Sequence, residues 1–426
     1  MSADRPSPSD TTEFRKSAAN PENPFDIKNP QVHVSDEVFD IFREMRAEGP
    51  VHWQEEIDDR GFWAVLGHDE ATYVQQNPEI YSADKRNGGN RIFDDDKVTG
   101  TTGRMVLMID PPDLTDLRKA IASSFTPAAV AGLEPRLRAR AERLVSHIES
   151  RGSAEFVSEV SGPFTTGLAT DLFGIPEEMG STISEWVSVF IADDDPEVRP
   201  SADRRGEVIA EFDEFAMRLY TGETRTSTDL VSNLKNVKLG GVPFDFEDFS
   251  VNFLLLFAAM TDTTRHALTY SILALGRYPE QRQLLQQRPD LMSAAVKEFI
   301  RWASPLIHVR RTAMRDTVLG GQRIRTGDKV VVWYAAANRD PTRFHHSDSF
   351  DIKRFEPGGA PASLGFGAGP HFCLGWRYAE LEIAIMLRTL MDRIPDIRPA
   401  GEAERFRSNF IRGIKKLPVE FTAARS

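Results

Sequence analysis

The sequence holds a single cysteine, Cys373, in 426 residues. No internal disulfide can form, which fits a reducing cytoplasm and leaves that thiol free for chemistry. Positive charge is also in short supply: 52 Lys and Arg stand against 64 Asp and Glu, a formal charge of −12. A nucleic-acid partner would need a net basic surface and is not expected. Long apolar runs are missing as well. The longest, Phe249 to Met260, is interrupted by Ser250 and Asn252 and falls short of the roughly 20 residues that cross a bilayer. Residues 1–24, rich in Ser, Pro, Asp and Thr, carry neither an apolar stretch nor a basic start of the kind found in signal peptides, and read as a mobile tail. No membrane anchor and no internal repeat are expected.

What is present is an ordinary globular composition, with 40% hydrophobic and 27% charged residues. Residues 25–426 are expected to fold as one domain around one continuous core. Two short runs, VHWQEE and GFWAVL, flank Asp58-Asp59-Arg60-Gly61 and predict a hairpin between Val51 and Leu66. From Thr126 to about Asp396 the spacing is mostly helical, as in the stripe Leu133, Leu137, Ala141, Leu144 and Ile148. A second strand-rich island spans Val309 to Val332, and residues 338–370 carry Pro, Gly, Asp and His without any period. Ala379, Ile383, Leu387 and Leu390 then resume helical spacing, so Cys373 sits in a Gly-rich bend that opens a helix. The fold class is mainly α with small β-sheets.

The bend reads Phe366-Gly367-Ala368-Gly369-Pro370-His371-Phe372-Cys373-Leu374-Gly375. Amides at a helix N-terminus favour negative charge, so Cys373 is expected to tend toward thiolate, the form that binds metals. The glycines allow close approach of the backbone to a flat partner, and Phe366 and Phe372 give apolar cover. A buried inert cysteine is the usual state of a free thiol. A nucleophile activated by His371 is disfavoured, because a base two residues away on one bend is poorly placed. The string matches Phe-x-x-Gly-x-His/Arg-x-Cys-x-Gly at every fixed position and resembles the haem-binding signature of the cytochrome P-450 family.

That resemblance extends from about Pro50 to Val419. It implies a fold with haem b between a long central helix and the helix after the cysteine loop, Cys373 as the iron ligand, and a monooxygenase using O2 as co-substrate. Phe366, Gly369, Gly375, Arg118, Arg311 and His371 are implied as cofactor-binding. Leu114 stands where the family often has a propionate-binding His, so Arg118, Arg311 and His371 must share that task. Glu298-x-x-Arg301, with Arg354, is similar to the family's structural ion-pair motif. Ala259-Met260-Thr261-Asp262-Thr263 is similar to its oxygen-site motif, with Thr263 as the hydroxyl at dioxygen and Asp262 as proton relay. Taken alone, Thr263 bonded to its own helix and Asp262 paired with Arg265 would account for both. Met260 replaces a usual Gly. Either its side chain narrows the oxygen groove, or the helix turns so that Ala259 lines it.

Substrate segments are implied at 90–104, 257–259, 305–309 and 409–412, where Ala258, Ala259, Leu306, Ile307, Val309, Phe410 and Ile411 suggest an apolar pocket for a terpenoid, steroid or fatty molecule. No flavin or nicotinamide domain fits in the chain, so a ferredoxin or flavodoxin is the implied electron donor, docking near Arg118, Lys119 and Arg377; a monomer is expected. A peroxide-driven peroxygenase, a haem-thiolate isomerase and a haem gas sensor are the competing readings. Asp262 and Thr263 speak against the peroxygenase, and the lack of a signalling domain against the sensor.

Overall fold

The computed structural model describes residues 25–56, 60–93, 103–191 and 195–424. The expected tail at 1–24, and Asp58 and Asp59 of the expected hairpin turn, lie outside them. The hairpin strands Val51–Gln54 and Phe62–Val65 pair antiparallel, with Trp53 opposite Trp63. Strands His308–Ala313 and Lys329–Trp333, from the second island, pair antiparallel with Val309 opposite Val332. Lys329–Trp333 also lies parallel to Phe62–Val65, and Tyr81–Ser82 joins the far edge to complete five strands. Every residue of the two island strands is buried. The β-branched run Val330-Val331-Val332 suits a strand covered on both faces.

The rest is largely helical. The longest helix, Phe246–Arg277, starts at a capping box in which the Asp245 carboxylate accepts from the Asp248 amide at 2.9 Å. Phe249, Phe253 and Phe257, spaced four apart, lie on one helix face. Phe253 is edge-on to Phe173 at 4.9 Å and stacked on Phe212 at 5.9 Å, Phe257 also meets Phe173, and Phe249 meets Tyr220. Burial of each such ring contributes about 2 kcal/mol. This central helix packs against helices Gly162–Phe173, Ala202–Thr221, Met292–Ala303 and Trp376–Arg393. No helix among the described residues is long and apolar enough to cross a membrane.

Exposure along the central helix resolves the two alternatives raised by Met260. Glu247 and Arg277 at its ends are exposed, and so is Ala259 in its middle, while Met260 is 9% exposed and packed in the main core. The helix is turned so that Ala259 is exposed and Met260 packs into the core, which favours the second alternative over narrowing. Met260→Gly should lower stability by about 3–5 kcal/mol, from the lost buried side chain and the glycine in a helix, yet leave oxygen affinity and coupling unchanged. Denaturant unfolding and oxygen titration of the variant check this.

Glu298, Arg301 and Arg354 converge as expected, and all three are buried. Arg301 grips Glu298 with two bonds of 2.7 and 2.8 Å, and Arg354 Nε donates to the same carboxylate at 3.1 Å. Glu298 and Arg301 have no exposed side-chain surface. The remaining guanidinium N–H groups reach the carbonyls of Asn338, Ser347 and Ser349 from Arg301, and of His346 and Ser349 from Arg354. The Asp351 amide closes the set on Glu298 at 2.9 Å. Removing the anion leaves two buried cations uncompensated, so Glu298→Ala should cost about 3–5 kcal/mol, read as a lowered midpoint in urea.

Candidate active site

The irregular stretch is fixed at several points before it reaches the cysteine. Asn338 Oδ1 accepts from the Leu364 amide at 2.7 Å, and Gln75 Oε1 accepts from both the Ala368 amide at 2.9 Å and the Tyr334 hydroxyl at 2.7 Å. The bend then closes on itself through Cys373 N to Phe366 O at 2.9 Å and Phe372 N to Gly369 O at 3.0 Å. Gln75 is a residue that sequence reasoning missed. It lies on a short polar helix, His68–Gln76, where nothing in the pattern distinguishes it from Gln76.

The glycines divide by role. Gly369 has φ +64°, and a Cβ there would lie 2.1 Å from the Gln75 carbonyl oxygen. Its missing side chain answers to the neighbouring helix, which corrects its assignment to cofactor approach. A Cβ at Gly375 would meet nothing within 4 Å, so this glycine keeps an open face. Phe366, Phe372 and Trp376 cluster at 6.3–6.5 Å between ring centroids.

The amides of Gly375 and Trp376 do aim at the Cys373 sulfur, and Arg118 adds positive charge nearby. Burial nevertheless dominates and pushes the thiol up from its ordinary value. The local dipoles and Arg118 favour the anion while burial opposes it, so a full thiolate calls for a stronger cation at the sulfur than one arginine.

Arg118, Arg311 and His371 come together around this bend. Arg118 donates to the Phe372 carbonyl at 2.8 Å, and among the described residues it has no carboxylate partner. Arg311 is buried, and its one side-chain bond shown is to the Arg310 carbonyl at 2.7 Å. His371 Nε2 is buried without a partner, and burial, together with Arg311 and Arg118, holds the imidazole well below its ordinary pKa. Leu114 is fully buried in the core and offers nothing polar. Two cations short of carboxylates beside an unpaired imidazole fit a group that brings its own two negative charges. The residues therefore fit haem, with its two propionates.

The central helix supplies the second half. Asp262 is buried and pairs with Arg265 at 2.5 Å; burial raises its carboxyl pKa, against the pull of Arg265. The Thr263 hydroxyl donates to the Ala259 carbonyl at 2.7 Å. Both local contacts anticipated for these residues are thus present. The Thr263 proton is committed, while its lone pairs remain able to accept a bond in the groove that Ala259 opens.

Three of the four segments assigned to substrate meet. Leu306 bridges Ile411, Ile307 N donates to Phe410 O at 2.8 Å, and Arg310 N to Asn90 O at 2.8 Å. Arg91 stacks on the Phe410 ring at 3.9 Å. Leu306 and Phe410 keep partial exposure, and Val309 and Ile411 a little. Ile307 has none and packs with Val331 and Trp333, and Ala258 is in the main core. Ile307 is thereby corrected from pocket lining to core, while Ala258 keeps as slight an exposure as Val309 and Ile411 do. Residues 94–102 of the first segment lie outside the described residues.

Comparisons with known proteins agree with this arrangement. A family model described as Cytochrome P450 matches residues 211–394. Linalool 8-monooxygenase from Pseudomonas putida is 36% identical over 401 residues, 92% of this chain and 98% of that protein. Methyl-branched lipid omega-hydroxylase from Mycobacterium tuberculosis is 34% identical, covering 91% and 92%. A Mycobacterium marinum cytochrome P450 solved in complex with pseudoionone superposes with a TM-score of 0.85 at 29% identity, over 95% of this chain and all of that one. With the relatives matched almost end to end and the helix-rich fold shared, this chain belongs to the cytochrome P450 family, the haem-thiolate monooxygenases that use dioxygen.

Proposed function

We propose that Cys373 supplies the sulfur for the haem iron, that Arg118, Arg311 and His371 hold the propionates, and that the enzyme hydroxylates a terminal methyl on an acyclic, methyl-branched apolar chain. The observation that carries the site assignment is one half-buried cysteine at a helix N-terminus beside two arginines that, among the described residues, are ion-paired with no carboxylate, and an imidazole whose Nε2 has no partner there. Bound there, haem supplies the dioxygen activation that amino-acid side chains cannot. Thr263 accepts a hydrogen bond in the groove beside Ala259. Asp262, with its pKa raised by burial, holds a proton more readily than an exposed carboxylate and passes it inward, while Arg265 sets how far it titrates.

Three relatives support the substrate reading. Carbon 8 of linalool and the omega carbon of a methyl-branched lipid are both methyls at the end of a branched chain, and pseudoionone is an acyclic isoprenoid ketone. Leu306, Val309, Phe410 and Ile411 offer such a chain an apolar wall. Electrons come from a ferredoxin or flavodoxin docking on the face that carries exposed Lys119 and Phe372, with Arg118 and Arg377 beside them. Arg377 lies over the Trp376 ring at 4.3 Å.

Spectral titration with linalool, pseudoionone, a methyl-branched fatty acid and testosterone, followed by turnover, tests this reading. Terminal hydroxylation of the branched chains under O2 with a ferredoxin system is expected, and product from peroxide alone at an equal rate would favour the peroxygenase. Cys373→His should retain haem but give the ferrous carbonyl spectrum of a nitrogen-ligated iron; an unchanged spectrum would remove Cys373 from the site. Thr263→Ala should keep consuming oxygen while product per reductant falls on the order of 10–100-fold, measured by oxygen electrode and product analysis.

A further inference from the structure

Asp36 lies just before helix Val38–Glu48, far in sequence from every segment assigned to substrate. Its carboxylate is shared by three arginines. Arg405 donates to its two oxygens at 2.8 and 3.2 Å, Arg412 donates at 2.7 Å, and Arg277, at the end of the central helix, stands at 3.6 Å. Arg405 and Arg412 bracket one hairpin loop, and among the described residues Asp36 is the one carboxylate ion-paired with either.

That loop carries Phe410 and Ile411. Its neck is closed by Phe406 N to Gly413 O at 3.0 Å, and Ser408 Oγ accepts from the amides of Phe410 and Ile411 at 3.1 and 3.2 Å. The tip is then set against the start of the sheet by Arg412 N to Pro305 O at 2.8 Å and by the His308 ring donating to Asn409 O at 2.8 Å. Arg412 is buried. Its guanidinium lies 4.1 Å from the Tyr270 ring centroid and donates to the carbonyls of Trp302 and Ala303 at the end of helix Met292–Ala303. Arg339, also buried, donates to that same Trp302 carbonyl and has no carboxylate partner among the described residues.

Like charges this close repel strongly out of water. With the Asp36 charge removed, Arg405 and Arg412 lose the anion between them, and Arg412 faces Arg339 without a counter-ion. The element that must respond is the loop, because both of its arms end at Asp36; its tip is held besides by the His308 ring, by Arg91 over Phe410 and by the Asn409 side-chain amide donating to the Lys28 carbonyl. We propose that Asp36 is a positioning residue for substrate: by cross-linking the two arms of this loop, it fixes how Phe410 and Ile411 stand against Leu306 and so which carbon of the substrate is presented for oxidation. The proposal rests on the reading of Phe410 and Ile411 as pocket residues.

The test uses the full-length, haem-loaded protein with linalool as probe. Asp36→Asn should keep the ferrous carbonyl spectrum, weaken the spectral Kd for linalool about ten-fold, equivalent to about 1.4 kcal/mol, and spread hydroxylation over more than one carbon. Asp36→Glu should restore most of both. Thr126→Ala, which removes the cap of helix Pro127–Ile148, serves as a variant with a modest loss of stability elsewhere and should leave Kd and products unchanged. If Asp36→Asn only lowers the melting temperature, and binds and oxidises linalool as Thr126→Ala does, the positioning role is overturned. Phe410→Ala separates the two readings. If it changes Kd or products while Asp36→Asn does not, the positioning role alone fails; if it changes neither, the pocket assignment fails and the role of Asp36 with it. Should Asp36→Asn not load haem, Arg405→Gln, which frees one arm of the loop, is judged by the same outcomes.

Discussion

Glu298 has no contact with water, and it holds two arginines that have almost none. A buried charge is costly unless every lone pair and N–H group is satisfied, and here the partners are carbonyls and amides of residues 338–351, a stretch with no ladder of its own. The ion cluster does for that stretch what a helix or sheet does elsewhere: it gives the backbone polar groups somewhere to go. The cysteine bend hangs from the end of this stretch. Its position is set by the cluster on one side, by Asn338 and Gln75 in the middle, and by the helix Trp376–Arg393 on the other.

The site uses the same physics with the opposite sign. Around Glu298 the charges balance within the protein; around Cys373 they do not. Among the described residues Arg118 and Arg311 are ion-paired with no carboxylate, and burial pushes the Cys373 thiol up from its ordinary value. On the central helix, Asp262 is buried with one arginine for company, and Ala259 is exposed where its neighbours are not. Such concentrated departures from a well-satisfied interior are typical of functional sites.

Much of this was legible in the sequence because the informative features are short and local. A Gly-rich bend opening a helix, an i,i+3 charge pair and an acid-hydroxyl pair within an apolar run can all be found by spacing alone. What spacing could not show is what each feature touches. The spacing of Glu298 and Arg301 marks a charge pair but not its burial, which is created by carbonyls some 40 to 50 positions away. Gly369 read as an approach to a cofactor, whereas the atom it must admit belongs to Gln75. Met260 left two helix orientations open, and the choice depended on which face the phenylalanines Phe249, Phe253 and Phe257 bury. Ile307 is apolar in an apolar segment, and nothing in its identity tells core from pocket wall. The hub at Asp36 joins residues almost 370 positions apart, which no local pattern encodes.

The unbalanced arginines also bear on how the protein reaches its finished state. A polypeptide that folds with Arg311 buried and Arg118 near it around His371, neither ion-paired with a carboxylate among the described residues, bears an electrostatic burden that a bound anionic group would relieve. Ligand that binds only the folded form shifts the folding equilibrium by mass action. By that linkage, folding and capture of the group would be coupled in one equilibrium, so that a chain lacking it would spend more time open to proteases.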